Sequence, residues 1–75
     1  MIKELDCVVL RADQPDHSLR AGDVGTVVLE HGSEAYEVEF TTLGGDTVAL
    51  LTLRADEIRP IARNEILHAR RVEAA

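Results

Sequence analysis

The clearest pattern of apolar and polar positions lies in residues 35–41, with the sequence Ala-Tyr-Glu-Val-Glu-Phe-Thr. Tyr36, Val38 and Phe40 alternate with Glu37 and Glu39. A period of two predicts a β-strand with one buried face and one face in solvent. The only tyrosine and the only phenylalanine of the chain both fall on the predicted inner face, so this strand is expected to supply much of the core.

Short runs of β-branched and aliphatic residues predict further strands over 5–10, 22–30, 47–53 and 57–61. The run 47–53 is the most continuously apolar and predicts a strand covered on both faces, whereas Pro60 predicts an edge strand. Glycines at 32 and 44–45 suit hairpin turns. Gly25, inside a strand, predicts either the close approach of a neighbouring backbone or a sharp bend of the strand. Five short strands with tight turns predict an all-β fold, a small five-stranded SH3-like barrel.

Two segments lie outside this strand pattern. Residues 11–21 form a long loop, with Leu19 predicted to pin it to the core, and a loop of this length often binds a partner. In the tail, Asn64 can cap a helix and Ile66, Ala69 and Val72 recur at helical spacing. An isolated helix this short is marginal in water. We therefore expect a barrel domain over 1–61 and a short C-terminal helix or flexible tail over 62–75.

Length and charge narrow the function. A chain of 75 residues with 45% hydrophobic and 29% charged residues is expected to form one soluble domain. Its net charge is −6, and its single lysine makes it a poor binder of phosphate backbones. Basic proteins are better matched as partners. No apolar run is long enough for a membrane span or a signal peptide, so a cytoplasmic location without membrane contact is expected.

Few residues suggest catalysis or metal binding. Cys7, the single cysteine, cannot form an intramolecular disulfide and is predicted to be a small buried apolar residue. Asp13, Asp16 and His17 could hold a divalent cation weakly, but a solvated loop is the favoured interpretation because regular ligand spacing is absent. The glycines match no phosphate-binding motif. We predict no catalytic residue, no cofactor and no metal.

Acidic side chains cluster near the hairpin at residues 31–34. Because oppositely charged surfaces steer association, this cluster is a candidate site for a basic protein partner. A module of this kind could be antitoxin-like or immunity-like, masking a basic bacterial protein. The long loop is included as a second candidate region. The candidate partner-binding residues are Glu30, Glu34, Glu37, Glu39, Asp13, Asp16 and His17.

The order of four segments carries a resemblance to a known family. ELDCVVL, DHSLRAGDVGTVV, AYEVEF and TVALLTLRADEIRP together resemble the bacterial domain of unknown function 4926 over about residues 2–61. The resemblance implies an SH3-like barrel and no particular activity. AGDVGTVV is also similar to the KOW motif of ribosome and transcription factors, and the barrel pattern is similar to that of the nitrile hydratase β subunit.

Other functions and partners stay open at this level. A KOW-like RNA or ribosome contact would use Arg11, Arg20, Arg54 and Arg59 as its cations. An accessory subunit or domain of an enzyme is a further alternative. An independent enzyme is disfavoured, because a barrel of this size is expected to have little room for a ligand pocket of roughly 300 Å³ or more. Self-association could use an edge strand or the apolar positions of the tail, Ile66 and Leu67.

Overall fold

The fold is a single antiparallel sheet of five strands in the order β4-β3-β2-β1-β5. The computed structural model describes residues 2–72. Two short 3-10 turns, Pro15–His17 and Ala55–Glu57, interrupt the connections. The predicted five-stranded all-β fold is confirmed. The strands are β1 (Cys7–Leu10), β2 (Val24–His31), β3 (Ala35–Thr41), β4 (Thr47–Arg54) and β5 (Ile58–Pro60).

All five strands contribute to one hydrophobic core. Both end strands supply buried residues to it, Leu53 from β4 and Ile58 from β5, so the sheet must curl around a common centre. The strand order fits the predicted SH3-like barrel, although β4 and β5 do not pair within residues 2–72. The other core residues are Val8, Leu10, Leu19, Val27, Tyr36, Val38 and Phe40.

Gly25 lies where β2 crosses this core. A Cβ atom at this position would lie 2.6 Å from Val38 Cγ1 and 2.8 Å from Phe40 Cε2. Only a residue without a side chain leaves room for the side chains of Val38 and Phe40 to pack across β2 at this position. The space left by Gly25 is filled by the side chains of Val38 and Phe40 and not by a neighbouring backbone, and both residues face inward from β3.

Two predictions of burial are wrong. Cys7 is exposed, because it is the first residue of β1 and lies on the face opposite to Val8, which pairs with Gly25 on the core side. β4 is not covered on both faces, since Leu50 pairs with Glu39 on the face turned away from the core and is 55% exposed. Pro60, by contrast, ends a short edge strand as predicted.

The predicted C-terminal helix is not formed in residues 62–72. The physical reason is a long-range ion pair: Arg70 bonds to Asp23 across 47 positions of sequence, which holds this segment against the body of the protein. Such a contact outweighs the weak helical preference of so short a segment. The remaining tail residues, 73–75, lie outside the described residues.

Among residues 2–72, no helix has the length and apolarity required for a membrane span.

Candidate protein-binding surface

The face of the sheet turned away from the core presents polar and apolar side chains in cross-strand rows. Directly paired residues share a face of an antiparallel sheet. Pairing continues from Thr26 to Glu39 and on to Leu50 in one row, and from Leu29 to Glu37 and on to Thr52 in the next. We call these six residues the outer face: Thr26, Leu29, Glu37, Glu39, Leu50 and Thr52.

Two glutamates occupy the centre of the outer face, and each has a local partner. Glu37 Oε2 lies 3.2 Å from Nε2 of His31. Glu39 Oε2 accepts a hydrogen bond of 2.8 Å from the Thr47 hydroxyl. The side chain of Glu37 is 30% exposed, so both carboxylates are oriented by neighbours and still reachable from solvent.

Apolar side chains flank these carboxylates. Leu29, paired with Glu37, is 42% exposed, and Leu50, paired with Glu39, is 55% exposed. Cys7 extends the row of Thr26, Glu39 and Leu50, since it pairs with Thr26. The outer face therefore combines two negative charges with exposed leucines on both sides, a composition that can bind both the charged head and the apolar stem of a basic side chain.

The four hairpin glutamates do not form one cluster. Glu30 pairs with the buried Tyr36 and so projects from the opposite face to Glu37, where its carboxylate accepts a bond of 3.2 Å from the backbone N–H of Glu4. Glu34 lies exposed in the turn before β3. A register shift between Val27 and Leu29 causes this separation, because one extra residue exchanges the faces of all that follow.

The long loop uses one of its candidate residues for its own folding. The Asp13 carboxylate accepts a bond of 2.8 Å from the Ala21 backbone N–H and thereby closes the loop. Leu19 is buried and pins the loop to the core as predicted. Asp16 and His17 are exposed in a 3-10 turn. In residues 2–72, no three His, Cys, Asp or Glu residues are arranged to hold a metal ion.

A bidentate ion pair between Arg70 and Asp23 holds the tail beside this loop. Arg70 donates Nε–H to one oxygen of Asp23 at 2.8 Å and Nη2–H to the other at 2.6 Å. Nη2 also donates to the Ser18 carbonyl at 2.9 Å. Partial burial alone would raise the pKa of Asp23, but the bonds from Arg70 and from the Arg20 backbone, with the positive charges of both arginines, hold that pKa below its ordinary value.

A second ion pair lies at the start of the tail. Arg59 donates two bonds of 2.8 Å to the carboxylate of Glu65, and the backbone N–H of Ala62 donates another of 2.7 Å. The bond from Arg59, followed by that from Ala62, lowers the pKa of Glu65 to about 2. The segment after β5 therefore folds back on that strand before it reaches Asp23.

An open groove of about 580 Å³ lies between the tail and the sheet. This volume exceeds what the sequence predicted for so small a domain. Its walls are largely apolar, and the two charged groups on them, Asp23 and Arg70, bond to each other. The apolar wall residues include Val24, Phe40, Leu43, Val48, Leu67 and Val72.

The arginines proposed for RNA contact are largely engaged. Arg11 donates to the Ile58 carbonyl at 3.1 Å. Arg54 lies beside Asp56 and Glu57, and Arg59 bonds to Glu65. Arg20 is exposed on the loop, close enough to Asp23 for its charge to help lower the pKa of that carboxyl. These cations do not form one continuous positive surface, since acids neutralise Arg54 and Arg59 locally.

Comparison with known families tests the resemblance. The sequence model of the domain of unknown function 4926 (DUF4926) matches residues 4–60. The chain belongs to the DUF4926 family. The match covers all five strands and ends at Pro60, so residues 61–72 follow the family domain. No match is found among curated proteins or among solved structures.

Sequence reasoning missed three features of this surface. Leu29 and Leu50 become flanking residues only through strand pairing, for which the apolar runs carry no signal. Cys7 lies in a strand with apolar residues on both faces, so the alternation does not reveal its orientation. Arg70 is one of several tail cations, and nothing local distinguishes it as the partner of Asp23.

Proposed function

We propose that this DUF4926 chain is a small acidic, non-catalytic binding module that recognises a basic protein through its outer face. The observation that carries the proposal is the placement of Glu37 and Glu39 side by side on the solvent side of β3, between the exposed leucines 29 and 50. An antitoxin-like or immunity-like role, in which the module masks a basic partner, is one form of this function.

Partial burial supports the choice of these two glutamates among the acidic residues. Neighbouring side chains cover part of each carboxylate, which lowers the local dielectric and strengthens attraction to an incoming cation relative to a fully hydrated acid. The leucines on either side give the apolar stem of an arginine or lysine a surface to cover. Specific recognition thus has both a charged and an apolar component.

The charge of the whole chain supports a basic partner. A net charge of −6 attracts a positively charged protein over long range and raises its rate of encounter. Within residues 2–72, many exposed carboxylates form no salt bridge and add to this field. They are Glu4, Asp6, Asp13, Asp16, Glu30, Glu34 and Asp46.

Affinity capture with matched variants tests the proposal. The tagged chain is incubated with lysate of its native cells at low and high salt, and bound proteins and RNA are identified. The test variant is Glu37→Gln/Glu39→Gln. The control is Glu34→Gln/Asp46→Asn, which removes the same charge from exposed turn positions.

We expect a basic protein that binds in stoichiometric amount, is released at high salt, and is lost with the test variant but retained with the control. Equal capture by both variants would mean that net charge alone drives binding and would refute the outer face as the site. Enrichment of RNA in place of a protein would refute the proposed partner class.

A further inference from the structure

The free edge of β4 is the longest unprotected strand edge within residues 2–72. β4 has eight residues and pairs only with β3. No backbone hydrogen bond joins residues 48–53 to a segment other than β3 in this part of the chain. The opposite end of the sheet differs, because β5 has three residues and includes Pro60, which has no N–H to offer. An edge of this kind is a template for another strand.

β4 lacks the features that usually prevent edge pairing. Residues 47–53, Thr-Val-Ala-Leu-Leu-Thr-Leu, contain no charged residue and no proline. An irregularity separates the pairing of Thr47 from that of Ala49, and the pairing is regular from Ala49 to Arg54. Leu50 stands 55% exposed in the middle of this regular segment. Charged side chains, proline and bulges are the devices that protect natural edges, and none acts between 49 and 53.

We propose that this edge pairs with the β4 edge of a second copy of the chain, forming a two-fold symmetric dimer with one continuous sheet. The inference goes beyond the proposed function and does not depend on it. Antiparallel pairing centred on Leu51 uses only the regular segment. It places Leu50 of each copy opposite Thr52 of the other on the outer face, and Ala49 opposite Leu53 on the inner face.

Charge favours a second copy over a basic strand as the occupant. β4 offers no carboxylate between 47 and 53 that could attract a basic strand. In the self-pair no like charges face each other along that segment, although each chain has a net charge of −6. A two-fold contact uses the β4 edge of both copies. The free backbone N–H and C=O groups of both edges are then paired within the dimer, and the contact does not extend into a filament.

Sedimentation of the full chain over a wide concentration range tests this dimer. We expect a monomer–dimer equilibrium that strengthens with salt, because salt screens the repulsion between two acidic bodies. Leu50→Lys should weaken dimerisation by about tenfold or more, since a lysine on an edge opposes pairing. Leu43→Lys is the control, because Leu43 is fully exposed in the adjacent turn. Circular dichroism checks that both variants fold.

A chain that stays monomeric at millimolar concentration would overturn the proposal. A dimer that survives Leu50→Lys but is lost with Ile66→Ser/Leu67→Ser would also overturn it and would assign the contact to the tail. Loss with Leu50→Lys and retention with Leu43→Lys would support pairing at the β4 edge.

Discussion

Replacing Gly25 with alanine tests how tightly β2 packs over β3. The new Cβ would lie 2.6 Å from Val38 Cγ1 and within 3 Å of two atoms of the Phe40 ring, whereas ordinary contact begins at 3.4 Å. Both neighbours are buried core residues, so neither can move away freely. Overpacking of this type destabilises proteins by about 1–3 kcal/mol. A 75-residue domain has a total stability of about 4–11 kcal/mol, so the loss is a large fraction of it.

Urea unfolding followed by far-ultraviolet circular dichroism measures this change. The matched control is Gly44→Ala, because its Cβ would meet only Thr42 Oγ1 at 3.8 Å and its backbone is outside the left-handed region. Both substitutions reduce the conformational freedom of the unfolded chain equally. The difference between the two free energies of unfolding therefore reports contacts in the folded state. We expect the free energy of unfolding of Gly25→Ala to lie about 1–3 kcal/mol below that of Gly44→Ala, and a thermal scan of the same variants should show a melting temperature lower by about 4–8 °C for each kcal/mol lost. Equal stability of the two variants would refute the packing described for β2 and β3.

Three further predictions concern the loop, the tail and the thiol. Leu19→Ala should destabilise the protein by about 2–4 kcal/mol because Leu19 is buried, while Leu43→Ala, in an exposed turn, should change stability by less than about 0.5 kcal/mol; equal urea midpoints would contradict the pinning of the loop. Since the pKa of Asp23 is lowered in the folded state, its pairing with Arg70 stabilises tail docking above the ordinary aspartate value of 3.8 and is lost as pH falls through the lowered pKa. Nitrogen-15 relaxation should show residues 66–72 becoming more mobile over that range, and Arg70→Ala should have a mobile tail at every pH; a tail as rigid in Arg70→Ala as in the original chain would refute the role of the Arg70–Asp23 ion pair. Cys7 should react with a thiol reagent in the native protein without prior unfolding, and a reaction that required urea would place it in the core after all.

Local alternation predicted the part of the fold that depends on one strand at a time. In β3 the period of two separates Tyr36, Val38 and Phe40 from the glutamates, and the structure confirms this division. The turn glycines and Pro60 also determine the backbone conformation only near their own positions. They therefore predict the hairpins and the edge strand from the sequence alone. The resemblance to the family, carried by the order of four segments, is likewise confirmed by the match over residues 4–60.

Features set by pairing between distant segments could not be predicted from the sequence. The register shift near Val28 moves Glu30 to the face opposite Glu37, and no local residue marks it. The exposure of Leu50 depends on its pairing with Glu39, which places it on the face turned away from the core, and an apolar run does not reveal that pairing. The tail conformation depends on the pairing of Arg70 with Asp23, and helical spacing within the tail carries no information about that contact.

The most direct test of the outer face is a titration of the nitrogen-15-labelled chain with the basic partner obtained by capture, followed through the backbone amide shifts. The proposed function predicts the largest shifts at residues 26–29, 37–39 and 50–52, and their loss with Glu37→Gln/Glu39→Gln. Shifts confined to the loop at residues 11–21, or to the groove beside residues 67–72, would contradict it.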